Sequence, residues 1–114
     1  MLTHIAGDLV EGATLRMTYR RPWPPIPLVV SCRVHHAVHG RSLRWSAPHG
    51  LAARLLHADH GWSLAPGPTP GTTTFTHDER FTGALAPLVF ALLQGLLRAI
   101  HADFNAAVRR ALTP

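Results

Sequence analysis

The stretch Thr72-Thr73-Thr74-Phe75-Thr76-His77-Asp78-Glu79-Arg80-Phe81-Thr82-Gly83, with the apolar run that follows it from Leu85, decides the fold. Its first part alternates. Phe75, His77, Glu79 and Phe81 fall on one face, and Thr74, Thr76, Asp78 and Arg80 on the other, as in a strand buried on one side. Beyond Gly83 the period changes. Leu88, Val89, Leu92, Leu93, Leu96, Ile100, Phe104, Val108 and Leu112 recur at helical spacing, one wide stripe sustained for about seven turns. The helix is predicted to start near Ala84, with Pro87 tolerated in its first turn and Arg109-Arg110 near its C-terminus, where the macrodipole favours positive charge. A helix this apolar needs a broad partner, and only short alternating strands lie upstream. The reading is a single α+β domain over residues 1–114, a curved antiparallel sheet packed on one long C-terminal helix with a cavity between them.

Upstream, Thr3 to Asp8 reads as a short strand. Thr14 to Arg20 alternates, with Leu15, Met17 and Tyr19 on one face. In Leu28 to Val38 the strict period puts Leu28, Val30, Cys32, Val34 and His36 together, opposite Val29, Ser31, Arg33, His35 and Ala37. His39-Gly40 turns into Arg41 to Ala47, where Leu43 and Trp45 share a face, so the two strands form a hairpin. Leu51 to Leu56 is open between a helical turn and a strand. His57 to Leu64 alternates again, grouping Ala58, His60, Trp62 and Leu64. The segment Arg21-Pro22-Trp23-Pro24-Pro25-Ile26-Pro27 cannot pair in a ladder, because its prolines lack donors; it is a loop or extended edge carrying Trp23.

The chain has 114 residues and a net charge of +5, and all eleven basic residues are arginine. They are dispersed rather than clustered, so no nucleic-acid partner is expected. The absence of lysine, beside abundant Ala, Leu, Pro and Gly, fits a GC-rich bacterial coding bias. Cys32 stands alone, which excludes an internal disulfide and fits a reducing, cytoplasmic compartment. No signal peptide is expected from the first residues. The most apolar uncharged run, Thr82 to Leu97, contains Pro87, Gln94 and Gly95 and falls short of the roughly twenty residues of a membrane span.

Nine histidines raise the question of a metal. Spacing argues against one: His35 and His36 are read to opposite faces of a strand, His57 and His60 likewise, and His101 and Asp103 diverge on the helix. Neither a metal nor a cofactor is expected. Cys32, between Val30 and Val34 on its face, reads as an inert buried thiol. The better constellation is on the last two strands, where His60, His77 and Glu79 share the inward face with Trp62, Leu64, Phe75 and Phe81. An imidazole and a carboxylate in such surroundings have their pKa values shifted and can act as general acid and base. A structural ion-pairing role for His77 and Glu79 stands beside that reading.

His60-Gly61-Trp62-Ser63-Leu64, then Thr74 to Gly83, then a helix ending Phe104-Asn105-Ala106-Ala107-Val108, resembles the SRPBCC superfamily, the START-like, birch-pollen-allergen-like and polyketide cyclase/dehydrase proteins. Leu43-Arg44-Trp45, the opening Ile5-Ala6-Gly7 and Gly12-Ala13-Thr14-Leu15 are similar too. The resemblance runs through nearly the whole chain. It implies a helix-grip fold, in which a curved antiparallel sheet wraps the C-terminal helix around an apolar cavity. It also implies a hydrophobic ligand such as a lipid, sterol or polyketide, and catalysis in only some members. Members of the superfamily begin with a further strand and two short helices, and this chain reads as starting after them. That leaves a sheet edge open. Two readings follow, a fragment or a chain that completes its sheet by homodimerising through that edge.

The expected function is therefore binding of a small hydrophobic ligand, lipid- or polyketide-like, between sheet and helix. The expected lining is Met17, Tyr19, Val30, Val34, Trp45, Trp62, Phe75, Leu92, Leu96 and Ile100, with His60, His77 and Glu79 as its polar contacts. The alternative is a cyclase- or dehydratase-type enzyme using Glu79 or His77 as acid or base.

Overall fold

The computed structural model describes residues 2–20 and 25–113, and Trp23 with its neighbours at 21, 22 and 24 lies outside them. Six strands and two helices follow in the order β1 (Leu2–Ala6), β2 (Thr14–Arg20), β3 (Pro27–Val38), β4 (Ser42–Ala47), α1 (Ala52–Leu55), β5 (His57–Pro66), β6 (Thr73–Thr82) and α2 (Ala86–Leu112). The strands form one curved antiparallel sheet in sequential order, so every neighbour in the chain is a neighbour in the sheet. The links at 39–41 and 67–72 are short and glycine-bearing, so pairing the neighbouring strands there costs little loop entropy. The α+β fold with a long C-terminal helix is as the sequence predicts. The ambiguous segment before β5 resolves as the single helical turn α1.

Alternation sorts the two faces. Leu15 and Met17 on β2, Cys32 and Val34 on β3, and Leu43 and Trp45 on β4 form one buried cluster. Leu15, Met17 and Val34 are excluded from solvent almost completely, each worth roughly 1.5–3 kcal/mol of transfer free energy. The register carries the same face onward, pairing Trp45 with His60, Leu43 with Trp62, His60 with Glu79 and Trp62 with His77. Three polar side chains thereby continue a hydrophobic face.

One strand breaks the strict period. Between Val34 and His36 the β3–β4 register shifts, so that Val34 faces Trp45, His36 faces Arg44 and Ala37 faces Leu43. The extra residue turns the remainder of β3 over, as a bulge does. His36 therefore leaves the inner face expected for it and meets Ser42 Oγ at 2.7 Å, while Ala37 packs against the core. His35 points outward as well, to Asp59 Oδ1 at 3.1 Å. The two histidines do not take opposite faces.

The outer face is held by charge. Arg44 on β4 lies across Gly61 on β5 to reach Asp78 on β6, its two terminal nitrogens donating at 3.2 and 2.8 Å, with Nε 3.3 Å from Asp59. Gly61 is small for this reason: a Cβ there would stand 2.8 Å from Arg44 Cγ and 2.9 Å from the Leu43 carbonyl oxygen. The forked pair keeps the Arg44 guanidinium charged and holds the Asp78 carboxyl below its usual range.

Helix α2 is hung from the turn before it. Gly83, at φ +105°, sits so close to the Leu55 carbonyl that a side chain would meet it at 2.6 Å, and the Ala84 and Leu85 amides donate to the Arg54 and Leu55 carbonyls. From there the helix docks by its second half. His101, Phe104 and Asn105 touch the sheet, whereas Leu88, Leu92, Leu93 and Leu96 stand exposed. Helix α2 is long and apolar enough, by length and composition alone, to cross a membrane, with a mean hydropathy of 1.2 in its most apolar window. Among the described residues the sheet ends in two open edges, β1 and β6.

Candidate cavity and histidine cluster

Where the second half of α2 crosses the sheet it leaves a cavity of about 340 Å³. Met17, Tyr19 and Trp45 form its sheet side and Ile100, Phe104, Ala106 and Ala107 its helix side. The polar groups are His60, His77 and His101, with Asp103 and Arg110 also in the wall. Strand alternation places the first two and helical spacing the third, so the cluster draws on β5, β6 and α2.

The histidines are held by specific oxygens. The His77 Nδ1–H donates to Asn105 Oδ1 at 3.0 Å, and the His101 Nε2–H donates to Glu79 Oε2 at 2.7 Å. An amide or carboxylate oxygen can only accept, which sets both tautomers. His60 Nδ1 lies 4.0 Å from Glu79 Oε1, and His60 Nε2 meets His77 Nε2 directly. With ring centroids 4.5 Å apart and planes within 17°, that contact makes His60 and His77 nearly coplanar, edge to edge rather than face to face. Trp45 lies 4.6 Å from the His60 ring and Phe104 4.6 Å from His77.

This setting disfavours protonation. Burial, followed by the neighbouring His77 and His101, pushes His60 down to about 3. Burial also lowers His77, opposed by its bond to Asn105. Both favour the neutral form, whose ring nitrogens can serve as hydrogen-bond acceptors or ligands. Tyr19, whose hydroxyl donates to Met17 Sδ at 3.6 Å, is pushed up to about 12, mainly by burial and then by Cys32 and Glu79. Burial likewise raises the Cys32 thiol, which leaves it unreactive.

Of the expected lining, Met17, Tyr19, Trp45 and Ile100 surround the cavity. The others do not. Val34 is fully enclosed in the core and has no surface to offer, and Val30 packs beside it. Trp62 and Phe75 are half-buried against each other, with centroids 6.4 Å apart, outside the cavity wall. Leu92 is 73% exposed and Leu96 52%, because only the second half of α2 reaches the sheet. Glu79 stands behind His101, lining a second, more open groove of about 360 Å³ with Phe81, Gln94 and Arg98. His60 and His77 are in the wall, as the alternation indicates.

Sequence reasoning missed His101 as a partner of His60 and His77. For a metal it weighed histidines only against neighbours on the same element, and its grouping of His60, His77 and Glu79 across two strands did not extend to the helix, because local spacing is silent about residues on three different elements. A signal was there. His101 and Asn105 are one turn apart beside Ile100 and Phe104, opposite a strand that offers His77 and Glu79 two residues apart. Comparison with protein-family models, curated proteins and solved structures finds no match for this chain.

Proposed function

We propose that this protein binds a small hydrophobic ligand, lipid- or polyketide-like, in the cavity between sheet and C-terminal helix, as a member of the SRPBCC superfamily would. The observation that carries the reading is the cavity wall itself, in which Met17, Trp45, Ile100 and Phe104 face a few convergent imidazoles. Ligand sites combine an apolar lining with a small number of placed polar groups in this way. At about 340 Å³ the space is near the lower end for such sites, which favours a short acyl chain or a compact aromatic system over a large sterol.

Native mass spectrometry of the purified chain, followed by organic extraction, tests this. The expected result is an extra apolar mass that is lost in Ile100→Trp, which fills the cavity, and kept in Leu92→Ala on the exposed face. A ligand retained by Ile100→Trp, or lost from Leu92→Ala, would refute the cavity as its site.

A second reading is a cyclase- or dehydratase-type enzyme. It is favoured by His77, a neutral imidazole in the wall with Asn105 orienting its far nitrogen. In this reading His77 transfers the proton and Glu79, screened by His101, positions rather than reacts. His77→Gln then abolishes turnover of a bound substrate while sparing binding. The open β6 edge also supports a homodimer paired edge to edge. Sedimentation that stays monomeric at high concentration would remove that proposal.

A further inference from the structure

We propose that His60, His77 and His101 form a three-histidine site for a divalent transition-metal ion, zinc foremost, in the wall of the cavity. One ring nitrogen from each histidine lies within 4.8 Å of the others, although the three come from β5, β6 and α2. A tetrahedral ion with bonds of about 2.0–2.1 Å needs nitrogens roughly 3.3–3.4 Å apart, so binding draws His60 and His77 apart and turns the three rings, which stand within 15–19° of parallel, towards a common point.

The second argument is where the other nitrogens go. His77 gives its Nδ1–H to Asn105 and His101 its Nε2–H to Glu79, leaving His77 Nε2 and His101 Nδ1 as lone pairs. His60 Nδ1 is turned towards the remaining oxygen of Glu79, and its Nε2 is directed at His77 Nε2. His77 Nε2 is thus an acceptor that either the His60 Nε2–H or a shared cation fills, and with the His60 proton on Nδ1 it is the cation that the contact calls for. Metal-binding histidines are oriented in just this manner, by an oxygen on the nitrogen that does not ligate. Glu79 also places a carboxyl group beside the three imidazoles.

Three imidazoles leave a tetrahedral ion one position. His60, His77 and His101 all border the cavity, so that position is open to water or to an oxygen of a bound molecule. This is the ligand count of a site that handles a substrate rather than one that only braces a fold. Neutral imidazole suits zinc and also nickel, copper and iron, so identity follows from preference rather than ligand type. The inference does not depend on what the cavity otherwise holds.

The test is titration of the chelator-stripped protein with cobalt(II), read by its visible absorption, and then with zinc(II). The expected result is one equivalent per chain, an intense four-coordinate cobalt band, and its displacement by zinc. His101→Ala, with helicity checked by circular dichroism, should weaken binding roughly a hundredfold or more, and Asn105→Leu roughly ten- to a hundredfold. His35→Ala on the outer face should change nothing. Wild-type imidazole nitrogen resonances give a readout free of folding effects: zinc should shift one nitrogen in each of three histidines. A missing cobalt band, loss of binding in His35→Ala, or less than about a threefold effect of His101→Ala would overturn the site, as would zinc shifts elsewhere.

Discussion

Replacing Trp45 by Ala is the most demanding test of the packing that builds the cavity. The ring is only 6% exposed, stands opposite Val34 and His60 in the sheet, and lies 4.6 Å from the His60 ring. Truncating a buried Trp costs about 3–5 kcal/mol, the loss of transfer free energy plus the void left behind. Here collapse is restricted. Paired strands fix the backbone on both sides, and the removed volume joins a cavity already about 340 Å³ in size, so the upper part of the range applies. Against a total stability of about 5–15 kcal/mol, the variant loses roughly a quarter or more of it.

Urea denaturation at fixed pH, with a chelator present, reads this directly. A slope of about 1–3 kcal/mol per molar turns the loss into a midpoint lower by at least about 1 M. Trp62, half-buried at the edge of the same cluster, provides the internal comparison and should cost less than Trp45 when truncated. A loss below about 1.5 kcal/mol for Trp45→Ala, or a larger loss for Trp62→Ala, would refute the assignment of Trp45 to the core.

Further expectations follow from single groups. Tyr19 is the chain's one tyrosine, so absorbance at the tyrosinate band titrates it alone; the folded midpoint should be near 12 against 10.0 when denatured. Because the neutral phenol is favoured in the fold, its contribution to stability is complete below pH 10 and is lost as pH rises towards 12. A single midpoint at 10.0 in the native protein would place Tyr19 in solvent. Gly61→Ala should destabilise by roughly 1–3 kcal/mol, since its Cβ meets the Leu43 carbonyl as well as the movable Arg44. An unchanged urea midpoint would contradict the crossing of Arg44 over Gly61. Leu92→Gln, on the exposed part of α2, should leave the monomer's stability within about 0.5 kcal/mol, and a core-sized loss would mean that this part of the helix is covered.

Local pattern made much of the molecule legible. The change from period two to helical spacing at Gly83 separates β6 from α2, and alternation in β2, β4, β5 and β6 sorts inner from outer residues because a strand's side chains have no other choice. His60 and His77 were readable as inward-facing polar groups for that reason. At the register shift in β3 the same rule failed, sending His36 outward, since one unpaired residue inverts everything beyond it and carries no mark in composition.

By itself, then, the amino-acid sequence determined the strands and the long C-terminal helix, their order, and which face of most strands is buried, all consequences of short-range sterics and hydrophobic period, while the turn α1 was left to the fold. Only the tertiary structure decided which half of α2 lies on the sheet. That choice depends on where the Gly83 turn points the helix and where the sheet curves beneath it. It exposes Leu92 and Leu96 and closes a cavity over Met17 and Trp45. It also delivers His101 to His60 and His77. Residues on three elements meet through the summed geometry of turns, twist and docking, and no local spacing records that sum.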